Sequence, residues 1–257
     1  MSAKQLTSID IASYQQGNTA QLIAKYNPDH VIIRMYSPWE RDGYQDISRA
    51  QVTTARSLGK SVGVYVWPYA ERTPWETLTE AINLCHSCEP PVIAPIIWLD
   101  CENSVYGDGP DYGWLSGWRT ACQQLQVPTG LYVRRSWIQD YFAGGEAAFS
   151  DFNDLPLWLA DYDGIDDVDI FKHGLPQGWS SAAAKQWGVT SSIIGDVDRN
   201  VIRPEYTIAG GIIDPCATLR EQMAALEIEN GLLTEAIDKM KATAEAIKTL
   251  SEGIIDL

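Results

Sequence analysis

Eight short runs of β-branched and aromatic residues recur along the chain, at LTSIDIA, HVIIRMY, SVGVYVW, PIIWLDC, TGLYVRR, PLWLADY, AKQWGV and DVDRNVI. Polar stretches of helical length separate the earlier runs, near residues 18–26, 46–58, 74–87, 113–126 and 134–142. The fourth of these stretches carries Leu115, Trp118, Cys122 and Leu125 at helical spacing. Such alternation predicts an α/β fold in which parallel strands are joined by helical crossovers. After the sixth run the helical signal stops. Residues 163–184 are rich in Asp, Gly and Ser, which predicts loops between the last strands and a barrel reduced at its end. A doubly wound open sheet is the competing arrangement, but the turn after the first strand, IDIASYQQGN, has no Gly-rich phosphate loop.

Proline and paired glycines in RPEYTIAGGIIDPC, residues 203–216, break this rhythm. A barrel domain is therefore expected over 1–208, a linker over 209–216, and a different element over 217–257. In that last part Leu219, Met223, Leu226, Asn230, Leu233, Ile237, Met240, Ala244, Ile247, Ser251 and Ile254 recur in steps of four and three. The seam predicts a C-terminal coiled-coil helix. A single amphipathic helix folded back on the barrel would show a similar stripe. Asn230 favours self-association, since a polar seam residue commonly fixes register and strand number, whereas Gly231, Ala244 and Ser251 weaken the seam.

The net charge of -15 would repel nucleic-acid phosphates and anionic lipid heads, so neither is an expected partner. No stretch approaches the roughly 20 apolar residues of a membrane span. The start, MSAKQLTSIDIASYQQ, lacks the apolar run of a signal peptide, which suggests synthesis as a soluble protein in the cytoplasm. Five cysteines, an odd number, argue for reduced thiols. Cys85 and Cys88 could form half of a zinc site, but no second Cys-x-x-Cys follows, and packing is the preferred reading. No metal or cofactor is expected. The ten Trp and twelve Tyr suit both a packed core and the apolar faces of sugar rings.

If PIIWLDCEN is a strand, Asp100 and Glu102 share one face and Cys101 points the other way. They stand at the strand's C-terminal end, where β/α barrels build their active sites. Hydrolysis of a glycosidic bond needs one carboxyl kept protonated to release the leaving oxygen and a second negative group to stabilise the positive sugar ring. An Asp-x-Glu pair alone is more often a solvated charge pair. Its company adds weight: Asp10, Asp161, Asp196 and Asp198 also fall on strand ends, and a barrel brings such ends together.

The ordered segments SIDIASYQ, HVIIRMY, ISRAQVTTARSLGKSVGVYVWPY, WLDCEN, LWLADYD and GDVDRNVI, over about residues 6–204, resemble the successive strand motifs of glycoside hydrolase family 25, the N-acetylmuramidase lysozymes. The resemblance implies a TIM-like (β/α)5(β)3 barrel. It also implies metal-free hydrolysis of the β-1,4 bond between N-acetylmuramic acid and N-acetylglucosamine in bacterial peptidoglycan. Residue by residue, Glu102 matches the family's general acid, Asp100 its partner, Asp10 the first-strand Asp, and Asp198 the Asp of V-D-x-N. The resemblance implies retention of configuration, with Asp100 either attacking the sugar or orienting the substrate's own N-acetyl group. Tyr65, Trp67, Tyr69, Tyr132, Trp158, Asp161 and Trp187 are the expected substrate-binding residues. Ala12 stands where the family's first motif has Ser, and Lys185-Gln186-Trp187 replaces W-Q-Y. The heptad tail sets a second possibility beside the enzyme: a glycan-binding structural protein of a phage particle, anchored as a homo-oligomer or virion component through 217–257. The enzyme reading places the protein at the cell wall, released by a phage or carried on its particle.

Overall fold

A computed structural model describes residues 5–36, 44–68, 71–93, 96–102, 109–190, 196–207 and 241. The chain divides into two compact units, Met1–Ile212 and Ile213–Leu257. The expected coiled coil lies outside the described residues, except for Lys241, which is helical.

In the first unit eight strands form a closed barrel in sequence order. They are β1 (Leu6–Ile11), β2 (His30–Tyr36), β3 (Ser61–Val66), β4 (Ile97–Cys101), β5 (Thr129–Arg134), β6 (Leu157–Ala160), β7 (Ala184–Thr190) and β8 (Val197–Ile202). Successive pairs from β1 to β7 are parallel, and β8 closes the ring antiparallel to both β7 and β1. Helices α1 (Thr19–Tyr26), α2 (Tyr44–Ser57), α3 (Pro74–His86) and α4 (Tyr112–Leu125) follow the first four strands, and α5 (Arg135–Asp140) and α6 (Gly145–Phe149) follow the fifth. Among the described residues no α-helix follows β6 or β7. The α/β (β/α)5(β)3 expectation therefore matches the observed barrel, with α6 as an addition that periodicity did not predict.

Local chemistry starts these helices where they begin. The Thr73 hydroxyl accepts from Glu76 N at 3.2 Å, while the Glu76 carboxylate accepts from Thr73 N at 2.9 Å, ahead of Pro74. This is a reciprocal cap with proline in the first turn, where its missing N–H costs nothing. Asp111 accepts from Trp114 N at 2.7 Å to start α4.

The barrel interior is filled. Ile32, Tyr65, Trp98, Tyr132, Trp158 and Ile202 belong to one buried cluster, with Trp98 and Tyr132 edge-on to Trp158 at 5.7 and 4.7 Å. Gly130 stands level with Trp98, and a Cβ there would lie 2.4 Å from the indole, so only glycine admits this ring. A second aromatic cluster, Trp137, Phe142, Phe149, Phe152 and Trp179, packs the short helices after β5. Much of the Trp content is thus structural. Cys85, Cys88, Cys101 and Cys122 are buried free thiols, and burial pushes Cys85 and Cys122 up to about 12.

Where a helix is missing after β6, an ordered loop covers the wall. Lys185, fully buried on β7, donates to Asp163 at 2.8 Å and to Ile170 O. Asp163 also accepts from Ile165 N at 2.9 Å and Lys172 N at 3.3 Å, and these donors hold its carboxyl below the ordinary range. Breaking a buried pair strands the remaining charge. Asp163→Ala is expected to lower unfolding free energy by about 3–5 kcal/mol, read as a shift in urea midpoint; a midpoint equal to that of the parent would show that Lys185 finds other partners.

Candidate active site

Antiparallel closure decides which residues meet at the rim. The parallel strands end there, whereas β8, running the other way, begins there. Its early residue Asp198 is accordingly level with Asp10 near the end of β1. On β4, Asp100 is level with Tyr132 of β5, so Glu102 comes level with Arg134 two residues on. The structure thus brings together Asp10, Asp100, Glu102 and Asp198, the four carboxyls expected from sequence.

These groups occupy different depths. Asp100 is 5% exposed, and its Oδ1 has no hydrogen-bond partner among the described residues. Burial first, then Glu102 and Asp10, push its carboxyl well up, against the pull of Arg34 and Arg134. Glu102 is shallower, with 21% side-chain exposure and Arg134 Nη2 at 3.5 Å from its Oε2. Burial raises its carboxyl, Arg134 lowers it, and Asp198 raises it again, for a net rise. Asp198 is pushed up to about 6 by burial and by exposed Asp196. Asp10 is raised well above its ordinary value by burial and Asp198, although Asn200 and Gln186 donate to its Oδ2 at 2.8 and 3.0 Å. The four carboxyls therefore hold protons to higher pH than isolated ones and titrate as a group.

Strand alternation pointed to the carboxyls but missed the cations among them. Arg34, in the middle of the apolar run HVIIRMY, reaches Ser13 Oγ at 3.2 Å and lies 5.8 Å from the Tyr14 ring. Arg134 shares the inward phase of Tyr132. A charged residue inside an otherwise apolar run was the available signal for Arg34, whereas Arg134 ends its strand beside Arg135. Sequence reading also passed over Gln186 and Asn200, and the exposed rings of Tyr14 and Tyr162 just beyond β1 and β6.

The expected sugar-binding residues are dispersed. Tyr65, Tyr132 and Trp158 are 6%, 6% and 2% exposed; their rings form the floor beneath the carboxyls, because inward alternation does not reveal depth along a strand. Trp187 is the extra residue of a bulge between Gln186 and Gly188. It lies under the Arg199 guanidinium, 4.1 Å away, and Arg199 points outward between inward Asp198 and Asn200. Trp187 therefore belongs to the outer face of the β7–β8 ribbon. Trp67 is half-buried just after β3, and Tyr69 lies outside the described residues. Asp161 is buried and pairs with His173 Nδ1 at 2.8 Å. It borders a cleft of about 560 Å³ lined also by Arg134, Ser136, Tyr162 and Gly174, so open space adjoins the Glu102–Arg134 pair. Among the described residues no cluster of His, Cys, Asp and Glu is arranged to hold a metal, and no helix is long and apolar enough to cross a membrane.

No family model matches the chain. Over 103 residues it is 33% identical to the probable GH family 25 lysozyme 4 of Dictyostelium discoideum, a match covering 39% of this chain and 45% of that protein. The chain thus spans less than half the length of this curated relative. Its fold is similar to that of a family GH25 lysozyme from Aspergillus fumigatus, with TM-score 0.57, 15% identity, and coverage of 85% of this chain and 98% of the other. It is similar as well to a muramidase from Acremonium alcalophilum (TM-score 0.55, 18% identity, coverage 77% and 93%). The catalytic domain of endolysin ply40 from bacteriophage P40 of Listeria monocytogenes aligns with TM-score 0.54, 17% identity, and coverage of 80% and 97%. The chain resembles the family 25 lysozymes, in fold across its barrel and in sequence over 103 residues.

Proposed function

We propose that the chain is a peptidoglycan hydrolase, a muramidase that cleaves the β-1,4 bond between N-acetylmuramic acid and N-acetylglucosamine. The observation that carries this reading is the gathering of Asp10, Asp100, Glu102 and Asp198 at one rim of the barrel, with their carboxyls raised. The likeness to lysozymes and muramidases supports the choice of substrate. Glu102 combines a raised carboxyl, which favours its protonated form, with 21% side-chain exposure. It gives its proton to the glycosidic oxygen as the C–O bond breaks. The carboxylate so formed then takes a proton from the attacking water. Asp10 and Asp198 supply negative charge against the positive ring.

Retention of configuration is proposed on the family resemblance. Asp100 is buried beneath Glu102, a position suited to orienting the substrate's N-acetyl group instead of bonding to the sugar. The acetyl carbonyl oxygen attacks the anomeric carbon as the protonated leaving oxygen departs, and water then displaces it. We further propose that the protein acts on bacterial walls in a phage setting, released at lysis or carried on the particle, and self-associates through 217–257.

Three outcomes are expected. Glu102→Gln should abolish release of muropeptides with new reducing ends from purified walls; release at the parent's rate removes Glu102 from the acid role, and a parent that binds walls without cutting them leaves a structural glycan-binding protein. Because a general acid works only while protonated, activity should fall as pH rises through the Glu102 titration. Arg134 lowers that carboxyl, so Arg134→Gln should carry the alkaline limb to higher pH, and a limb that stays in place or moves down contradicts the assignment. Light scattering at micromolar concentration should report an oligomer that a 1–208 truncation lacks; a monomeric full chain excludes the tail's proposed role.

A further inference from the structure

Asp10 is tied into the barrel wall by two amides whose orientation is fixed from behind. Asn200 and Gln186 stand level with each other in the β8–β7 register and are each 1% exposed. Trp158 Nε1 donates to Asn200 Oδ1 at 3.0 Å. An indole N–H can only donate, so the Asn200 oxygen must face it and the Nδ2 group must face Asp10, at 2.8 Å. Tyr132 donates to Gln186 Oε1 at 2.8 Å, joined by the Tyr162 hydroxyl. Gln186 Nε2 is thereby turned to Asp10, at 3.0 Å. Flipping Asn200 would set like atoms against each other on both sides, and flipping Gln186 would turn its oxygen on the Asp10 carboxyl.

We infer, on the reading that Asp10 serves the proposed reaction, that Gln186 and Asn200 are positioning residues that bind its Oδ2 and turn Oδ1 to the substrate. Two donors occupy the lone pairs of one oxygen, which leaves the other for chemistry. The aromatic floor fixes the amides through Trp158 and Tyr132, and Tyr162, half-exposed, is the network member nearest to solvent. The arrangement explains why polar side chains stand at the inward positions of β7 and β8 just above an apolar cluster.

The amides also act against the surrounding charge. Asp10 faces Asp198 from β8 and Asp100 and Glu102 from the end of β4, each of which disfavours its ionisation. Arg34 of β2 lies within reach of Asp100, and the hydroxyls of Tyr14 and Tyr65 are near enough to feel Asp10. Within this ring Asn200 and Gln186 favour the carboxylate of Asp10 and so offset part of the rise that burial and Asp198 impose on it.

The test follows the Asp10 carboxyl directly, by carbon NMR titration of aspartate-labelled protein, with the signal assigned through Asp10→Asn. Gln186→Met and Asn200→Leu keep side-chain volume without adding charge. Each is expected to move the Asp10 midpoint upward by about one unit, and Tyr132→Phe, which keeps the ring but frees the Gln186 amide, should move it in the same direction. On cell-wall substrate the same variants should lose about tenfold or more in kcat, with KM changed less than about twofold. Lower melting temperatures with an unmoved midpoint would overturn the inference and leave the amides as packing. If the first two variants do not fold, Tyr132→Phe decides alone, an unmoved midpoint again counting against it. The titration needs no turnover, so an inactive parent would refute the proposed reaction without touching the Asp10 result.

Discussion

Closing the barrel with a reversed last strand sets Asp198 directly across from Asp10, and much else at the rim answers that juxtaposition. Like charges opposite each other on paired strands are destabilising, and burial removes the water that would screen them. Asp10 bears that cost, raised well above its ordinary value by burial and then by Asp198, while burial and Asp196 push Asp198 up to about 6. The folded chain holds this proton more tightly than the unfolded chain does. Its contribution to stability is complete below the ordinary carboxylate range and is lost as pH rises through 6. At neutral pH the ionised group costs on the order of 2–3 kcal/mol. Arg34, Arg134 and the Asn200 and Gln186 amides offset part of the total charge, each from a different strand, which only a closed ring can bring together.

Among the described residues no helix follows β6 or β7, and the loop from 161 to 183 covers that side. That loop is fixed by polar and aromatic contacts in place of a helical ladder. Lys185 and Asp163 pair beneath it, His173 pairs with Asp161 at its edge, and Trp179 packs on Phe149 while donating to Leu155 O at 3.0 Å. Buried charges are costly unless paired and hydrogen-bonded, and the Lys185–Asp163 pair meets that condition with backbone donors on the Asp and a backbone acceptor on the Lys. The outcome is an ordered wall that leaves space beside Arg134. Fold reduction and site access thus share one origin.

Much of this architecture is legible in the residues. Strand and helix positions follow from periodicity, because a half-buried helix and a barrel strand impose different repeats on where apolar side chains fall. Asp100 and Glu102 are legible as a same-face pair for the same reason. Depth is not legible: Trp158 and Tyr65 alternate inward just as Asp100 does, yet lie lower in the lumen, and no local signal separates floor from rim. Pairing across strands is hidden as well. Arg134 meets Glu102, and Asn200 meets Asp10, only once register is set. Trp187 misleads because nearness to a strand says nothing of phase: its neighbour Gln186 faces inward to Asp10, so Trp187 faces out. The reading of 217–257 rests on its heptads alone, as that segment lies outside the described residues.

Depth also divides the labour among the carboxyls. A proton donor must keep its proton near neutral pH and reach the leaving oxygen. Burial favours the protonated form of Asp100, but at 5% exposure it fails the second condition. Glu102 combines the two better: burial raises its carboxyl, yet just beyond its strand it keeps 21% side-chain exposure beside Arg134, which lines the cleft. Arg134 then sets a limit: closer approach would favour the carboxylate and spoil the donor, whereas at 3.5 Å and half in solvent its pull is screened and does not reverse the rise. Asp10 has two amides that favour its carboxylate, working against the net rise from burial and Asp198. Carboxyls of one chemical type can thus take different parts at one crowded rim because they differ in depth and in hydrogen-bond donors.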